Sequence, residues 1–108
     1  MNIAKIISMI GVLAMTIALA NGFLNGNIAA EGAWIFSHPW GIVSLVDLYV
    51  GFALFSIWIV YREKSRATAA IWVVLMMVLG FWTGALYMFL ALNASGGEWK
   101  KFWLGARA

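Results

Sequence analysis

Residues 41–61, GIVSLVDLYVGFALFSIWIVY, form a long apolar segment that contains a single acid, Asp47. As a helix the segment rises about 30 Å at about 1.5 Å per residue, which matches the hydrocarbon thickness of a bilayer. Ser37, His38 and Pro39 precede it. Proline suits the first helical turn because backbone N–H groups there have no partner within the helix, so the N–H that proline lacks is not missed. The sequence predicts a membrane-spanning helix here, with its cap near Ser37 or His38.

The composition of the whole chain also indicates a membrane protein. Of the 108 residues 65% are hydrophobic and 10% are charged, whereas soluble domains carry about a quarter charged residues. A short chain buries too little of its surface to hide that much apolar area from water, so we expect a lipid bilayer around it. The cysteine count is zero, which excludes disulfides, thiolate nucleophiles and iron–sulfur clusters.

Two further apolar stretches flank the central one. Residues 3–20 carry mostly small side chains on one face, including Ala4, Ser8 and Gly11, and small faces allow close helix packing in lipid. The end of this stretch also matches a signal-peptide cleavage pattern, but we favour a retained helix. Residues 67–92 are long enough to span with tilt. We therefore predict an all-α integral membrane protein, with transmembrane helices at 3–20, 41–61 and 67–92 in a single domain over residues 1–108.

The predicted connections differ in charge. Residues 62–66 contain Arg62, Lys64 and Arg66, while the turn-rich segment 21–40 contains no cation. Positive residues favour the cytoplasm, so we predict the N-terminus inside and the C-terminus outside, in a bacterial inner membrane. The amphipathic tail, residues 98–108, disagrees with this orientation, because its own cations would then lie outside. Its apolar side predicts an interfacial docking surface formed by Trp99, Phe102 and Trp103.

Asp47 is the leading candidate for a functional residue, because an acid inside a spanning segment needs a partner, a proton or water. Counting helical depth with the C-terminus outside, the hydroxyls of Thr83 and Tyr87 are its expected partners. The cations of residues 62–66 lie at the opposite side. The alternative is a structural hydrogen bond that ties helices together or reaches interfacial water.

Other candidates are weaker. His38 could ligate a heme iron or a chlorophyll-type magnesium, although a lone loop or capping histidine is the more common case. Gly80 and Gly84 form a small-xxx-small pair that predicts a face buried against protein. We find no catalytic motif and no cluster with metal-ligand spacing. The cations lie at helix ends and in the tail rather than in a surface stripe, so nucleic acid is not expected as a partner.

Several stretches together resemble a known family. The stretches are residues 40–49, WGIVSLVDLY, and 58–65, WIVYREKS, with the pairs Leu79-Gly80 and Leu86-Tyr87. They are similar to a family of small helical membrane proteins of bacteria and plants that is described only as a domain of unknown function. The resemblance covers about residues 38–92, without the first helix and the tail. It implies a membrane unit of three or more helices, with Asp47, Tyr49, Arg62 and Glu63 as a shared framework, and it implies no activity.

Three functional hypotheses remain open. The first is a non-catalytic accessory subunit of a larger respiratory or photosynthetic membrane complex, which docks through the Gly80 and Gly84 face or the tail. The second is a small homo-oligomeric transporter or proton-linked channel that uses Asp47. The third is a heme- or pigment-binding membrane protein that uses His38.

Overall fold

The computed structural model describes residues 1–107, which form six α-helices and one short 3-10 turn. The helices are α1 (Asn2–Asn25), α2 (Ile28–Phe36), α3 (Pro39–Arg62), α4 (Arg66–Leu79), α5 (Phe81–Ala94) and α6 (Trp99–Leu104), and the 3-10 turn is Gly105–Arg107. The all-α prediction is confirmed. Two of the helices, α1 and α3, are long and apolar enough to cross a membrane.

The start of α3 follows the prediction. His38 is the N-cap residue in an extended conformation, and Pro39 is the first helical residue. The preceding segment, residues 21–40, differs from the prediction of turns, because α1 continues to Asn25 instead of ending at residue 20 and α2 follows it. Asn27 explains this helix, since its side-chain oxygen accepts a hydrogen bond from Ala30 N at 3.1 Å and so caps the first turn.

The prediction of one continuous helix over residues 67–92 is wrong. The chain reverses at Gly80, where φ is +65° and ψ is −142°, a combination that is nearly exclusive to glycine. α4 and α5 therefore form a helical hairpin of two 14-residue arms. The tip of the hairpin, at Gly80, lies beside the middle of α3. There the hydroxyl of Tyr49 donates to the carbonyl oxygen of Met77 at 3.4 Å. A Cβ on Gly80 would lie 3.1 Å from the Phe52 ring.

The first helix packs antiparallel to α5 through its small face. A Cβ added to Gly11 would lie 3.2 Å from the Cβ of Ala85, so the two backbones approach closely there. One turn further along α1, the indole N–H of Trp82 donates to the hydroxyl of Thr16 at 2.9 Å. The predicted small face of α1 is thus the face that contacts its neighbour.

Met1 and the C-terminal helix α6 lie at the same end of the bundle. The hydroxyl of Ser95, just after α5, lies 3.2 Å from the sulfur of Met1. The tail folds back onto the last turn of α3, where the backbone carbonyl of Phe102 contacts Arg62. The prediction that the tail lies at the opposite end from the N-terminus is therefore wrong, and the reversal at Gly80 is the reason.

Candidate functional site at the end of α3

Arg62, the last residue of α3, is the centre of a buried polar network. It is 8% exposed. Its Nε donates to the carbonyl oxygen of Phe102 at 2.6 Å, and its Nη1 donates to the hydroxyl of Tyr87 at 2.9 Å. A buried guanidinium is costly unless it is hydrogen-bonded, and these contacts with the tail and α5 supply those bonds.

Glu63 completes the network. The hydroxyl of Tyr87 donates to Glu63 Oε1 at 2.7 Å, and the same carboxylate oxygen lies 3.8 Å from Arg62 Nη1. The Tyr87 hydroxyl accordingly accepts from a cation and donates to an anion. Hydrogen bonds to charged groups are stronger than neutral ones, and Tyr87 reaches both charged groups only because the chain reverses at Gly80.

Aromatic rings surround the guanidinium. Its central carbon lies 5.6 Å from the ring centroid of Trp58 and 5.4 Å from that of Tyr87. The Trp58 and Tyr87 rings meet edge to face with centroids 5.6 Å apart, and Trp72 packs against Tyr87 from α4. These distances fall within the range of a cation–π interaction, so the rings stabilise the charge as well as exclude water.

The tail closes this site from the end of the bundle. Phe102 is almost fully buried, and the indole N–H of Trp58 donates to the carbonyl oxygen of Trp103 at 3.0 Å. Arg107 Nε donates to the carbonyl oxygen of Tyr61 at 2.9 Å, and its guanidinium stacks 4.6 Å above the Tyr61 ring. Carbonyl groups of the last turn of a helix lack partners within that helix, and the tail supplies one for Tyr61.

We expect Gly105→Ala to weaken the closure of the tail. Gly105 has φ +55°, and a Cβ there would lie 2.8 Å from the carbonyl oxygen of Arg62. Gly96 is the matched control, because it has a similar φ of +60° and no atom within 4 Å of the added Cβ. Both changes add about 1 kcal/mol or more of backbone strain. Thermal unfolding in mild detergent should show a larger loss for Gly105→Ala, and equal losses would contradict the proposed contact.

The predicted partners of Asp47 are engaged elsewhere. The hydroxyl of Thr83 donates to the carbonyl oxygen of Leu75 at 3.0 Å inside the hairpin, and Tyr87 belongs to the Arg62 network. Asp47 is exposed on α3. The structure therefore does not bring Asp47, Thr83 and Tyr87 together. Counting depth along a single continuous helix placed Tyr87 at the wrong end of the bundle.

His38 lies at the other end of α3, exposed and in contact with α2. Its Nδ1 is 2.6 Å from the carbonyl oxygen of Trp34, and its ring stacks on the Trp34 ring with centroids 4.1 Å apart. Within residues 1–107 no group of three or more histidine, cysteine or acidic residues could hold a metal ion. The structure thus places the His38 ring in a contact between α2 and the start of α3.

The two glycines predicted for helix packing have different environments. Gly80 makes the turn of the hairpin, and Gly84 is buried, with a Cβ there expected 2.9 Å from the Phe81 ring and 3.3 Å from the Met76 methyl group. Of the predicted docking residues in the tail, Phe102 is buried against its own chain, while Trp99 and Trp103 remain about half exposed. The Gly80 and Gly84 face and the centre of the tail surface are therefore occupied within the chain.

Sequence reasoning missed most of the network. Arg62 and Glu63 were named as a shared framework only through the family resemblance, and Trp58 and Gly105 were not named as site residues. One signal in the sequence could have indicated the true topology. The predicted topology places Lys100, Lys101 and Arg107 outside, whereas the other cations lie inside. The network itself joins the end of α3, the hairpin and the tail, and this makes it a clamp between three elements.

The structure is that of a small all-α protein with two candidate membrane spans, α1 and α3. The α4–α5 hairpin packs between these two helices, and the Arg62 network lies at one end of the bundle. The chain belongs to the family described as "Protein of unknown function (DUF1475)", whose model matches residues 2–97. The predicted resemblance is thereby confirmed, and the match includes α1, which the resemblance had left out. No curated protein and no solved structure matches the chain.

Proposed function

We propose that this protein is an integral membrane protein that serves as a non-catalytic accessory subunit of a larger membrane complex, and that α3 is its docking helix. The observation that carries the proposal is Asp47, an exposed acid within the apolar helix α3. An acid at such a position requires a partner, and the partner that fits is a cationic or hydrogen-bond-donating side chain on a neighbouring membrane subunit.

The exposure of the long helices supports a membrane location. α1 and α3 have 24 residues each, and only 6% and 17% of their most apolar windows are buried in the structure. The core helix of a soluble protein would be mostly buried. Each helix rises about 36 Å, enough to cross about 30 Å of hydrocarbon. Large aliphatic residues cover their outer faces, including Ile3, Ile17, Leu24 and Leu54, each more than half exposed.

The charge distribution supports one orientation. All seven lysine and arginine residues lie at the end of the bundle that holds Met1, the α3–α4 connection and the tail, while Glu31 and Asp47 lie towards the other end. By the positive-inside rule we place both termini in the cytoplasm. The hairpin then enters the bilayer from the cytoplasmic side and turns back at Gly80, which resolves the charge conflict of the three-span topology.

A different chain fits Asp47 better than a second copy does. A parallel second copy would bring its own lysine and arginine residues to the cytoplasmic end, about 20 Å from Asp47 by the helical rise from residue 47 to residue 62. A symmetric contact at Asp47 would place two acids together. Like charges that share a desolvated site disfavour each other, so a partner with a donor at that depth is the complementary one.

The test is a gentle affinity purification from native membranes of wild type, Asp47→Asn and the control Glu31→Gln, which removes an acid from α2 at the same end. We expect wild type and the control to retain co-purifying membrane subunits. Asp47→Asn should weaken that association about tenfold or more, since a charged hydrogen bond across an interface contributes about 1.5–3 kcal/mol.

Three other outcomes would overturn the proposal. A stable monomer without partners in mild detergent rules out the accessory subunit. A homo-oligomer whose ion flux in liposomes is lost in Asp47→Asn assigns the protein to transport. A visible absorption band that disappears in His38→Ala assigns it to heme or pigment binding.

A further inference from the structure

The cations at the cytoplasmic end are not all engaged within the chain. Arg62 is buried in the clamp, and Lys101 lies 3.7 Å from Glu98. Arg107 stacks on Tyr61 but remains exposed. Lys64 in the α3–α4 connection and Arg66 at the start of α4 are exposed, and neither forms an ion pair within residues 1–107. Two positive charges are therefore presented side by side at the membrane end of a helix pair.

These cations border a groove between α3, α4 and the C-terminal turn, with a volume of about 620 Å³. Lys64, Arg66 and Arg107 line it at the end of the bundle, and Val60, Ala70 and Val73 line it further along the helices. Val73 lies seven residues into α4 from Arg66, or about 10 Å by helical rise. The groove thus changes from cationic to apolar over about the depth that separates a lipid headgroup from its acyl chains.

Glu63, the acid that lines this groove, does not neutralise the positive charge of the groove. Its Oε1 accepts a hydrogen bond from Tyr87 and faces Arg62. The carboxylate is thereby matched by the buried guanidinium. A ligand in the groove meets the charges of Lys64, Arg66 and Arg107 at one end and an aliphatic wall at the other.

We propose that this groove binds one anionic phospholipid, with its phosphate between Lys64, Arg66 and Arg107 and an acyl chain along Ala70 and Val73. Clusters of basic residues at the cytoplasmic membrane surface attract anionic headgroups, and the adjoining apolar wall selects a lipid over a free phosphate. The inference rests on the membrane location in the proposed function, and it is independent of the partner of Asp47.

The first test compares binding of phosphatidylglycerol and phosphatidylcholine with identical chains to the full-length protein, by native mass spectrometry from mild detergent. We expect phosphatidylglycerol to bind about tenfold more tightly. The double variant Lys64→Gln/Arg66→Gln should remove that preference. The control Lys5→Gln/Lys100→Gln loses the same two charges outside the groove and should retain the preference. Equal losses in both variants, or no preference in wild type, would overturn the proposal.

The second test addresses the acyl chain without changing charge. Ala70→Trp fills the groove from an exposed position, and Ala67→Trp adds the same ring to the same helix outside the groove. Only Ala70→Trp should weaken phosphatidylglycerol binding, by about fivefold or more, with unchanged thermal unfolding. Glycerol phosphate that binds as tightly as the lipid would overturn the role of the apolar wall. Wild-type protein that binds phosphatidylglycerol but co-purifies with no membrane subunit would refute the accessory-subunit role alone.

Discussion

Replacing Gly80 by alanine is expected to destabilise the α4–α5 hairpin by about 1–3 kcal/mol, because an L side chain is strained at its backbone conformation. Gly80 has φ +65° and ψ −142°, and the added Cβ would also lie 3.1 Å from the Phe52 ring. Alanine in addition favours a continuous helix through this position by about 1 kcal/mol relative to glycine. The two effects act in the same direction, against the turn.

Thermal unfolding in detergent measures this change, and cysteine labelling of the parent protein tests the hairpin topology on which the prediction depends. The natural chain has no cysteine, so single cysteines at positions 64 and 100 report the sides of the membrane without background. We expect both to react from the cytoplasmic side in the parent, and Gly80→Ala to lower the unfolding temperature by several degrees. Gly22→Ala is the control, because Gly22 lies in α1 with no atom within 4 Å of an added Cβ. Labelling of position 100 from the opposite side in the parent would refute the hairpin.

Local sequence signals were sufficient for α3 and for the presence of α1, but they placed the end of α1 at residue 20 instead of Asn25 and did not predict the hairpin. A run of apolar residues with a proline at its start and Arg62 at its end specifies α3, because hydropathy and capping are properties of neighbouring residues. A lone glycine inside an apolar run is compatible with either a helix or a break, since it costs a helix only about 1 kcal/mol. The reversal at Gly80 depends instead on contacts with Phe52, Thr83 and Tyr87, which are distant in sequence or lie beyond the turn.

The same dependence explains the candidate site. Tyr87 was predicted to be a hydrogen-bond partner of Asp47, and in the structure its hydroxyl has other partners. The partners are the Arg62 and Glu63 pair rather than Asp47, because the hairpin returns Tyr87 to the end of the bundle where α3 ends. Asp47 was identified from its helix alone, and in the structure it is exposed on that helix, away from Thr83 and Tyr87. Contacts of the tail, such as that of Gly105 with Arg62, could not be predicted without the position of the hairpin.

Replacing Arg62 by methionine is expected to detach the tail and lower the free energy of unfolding by about 3 kcal/mol. The change removes donors to the Phe102 carbonyl and the Tyr87 hydroxyl, and it leaves the half-buried Glu63 without its cation. Methionine keeps most of the aliphatic volume between Trp58 and Tyr87, so the loss reports the polar contacts rather than a cavity. Lys100→Met is the control, since it removes an exposed cation from the tail itself.

Arg62→Lys should recover only part of the loss. A single ammonium group cannot reproduce the planar fork that donates to two acceptors on different elements, whereas a purely charge-based role would be restored in full. Hydrogen exchange of the α6 amides should accelerate in Arg62→Met and remain slow in Lys100→Met. A double-mutant cycle with Tyr87→Phe should give a coupling energy of about 1 kcal/mol or more, because the two side chains share one hydrogen-bond network. Additive effects of the two changes would show that the tail and the hairpin are held independently.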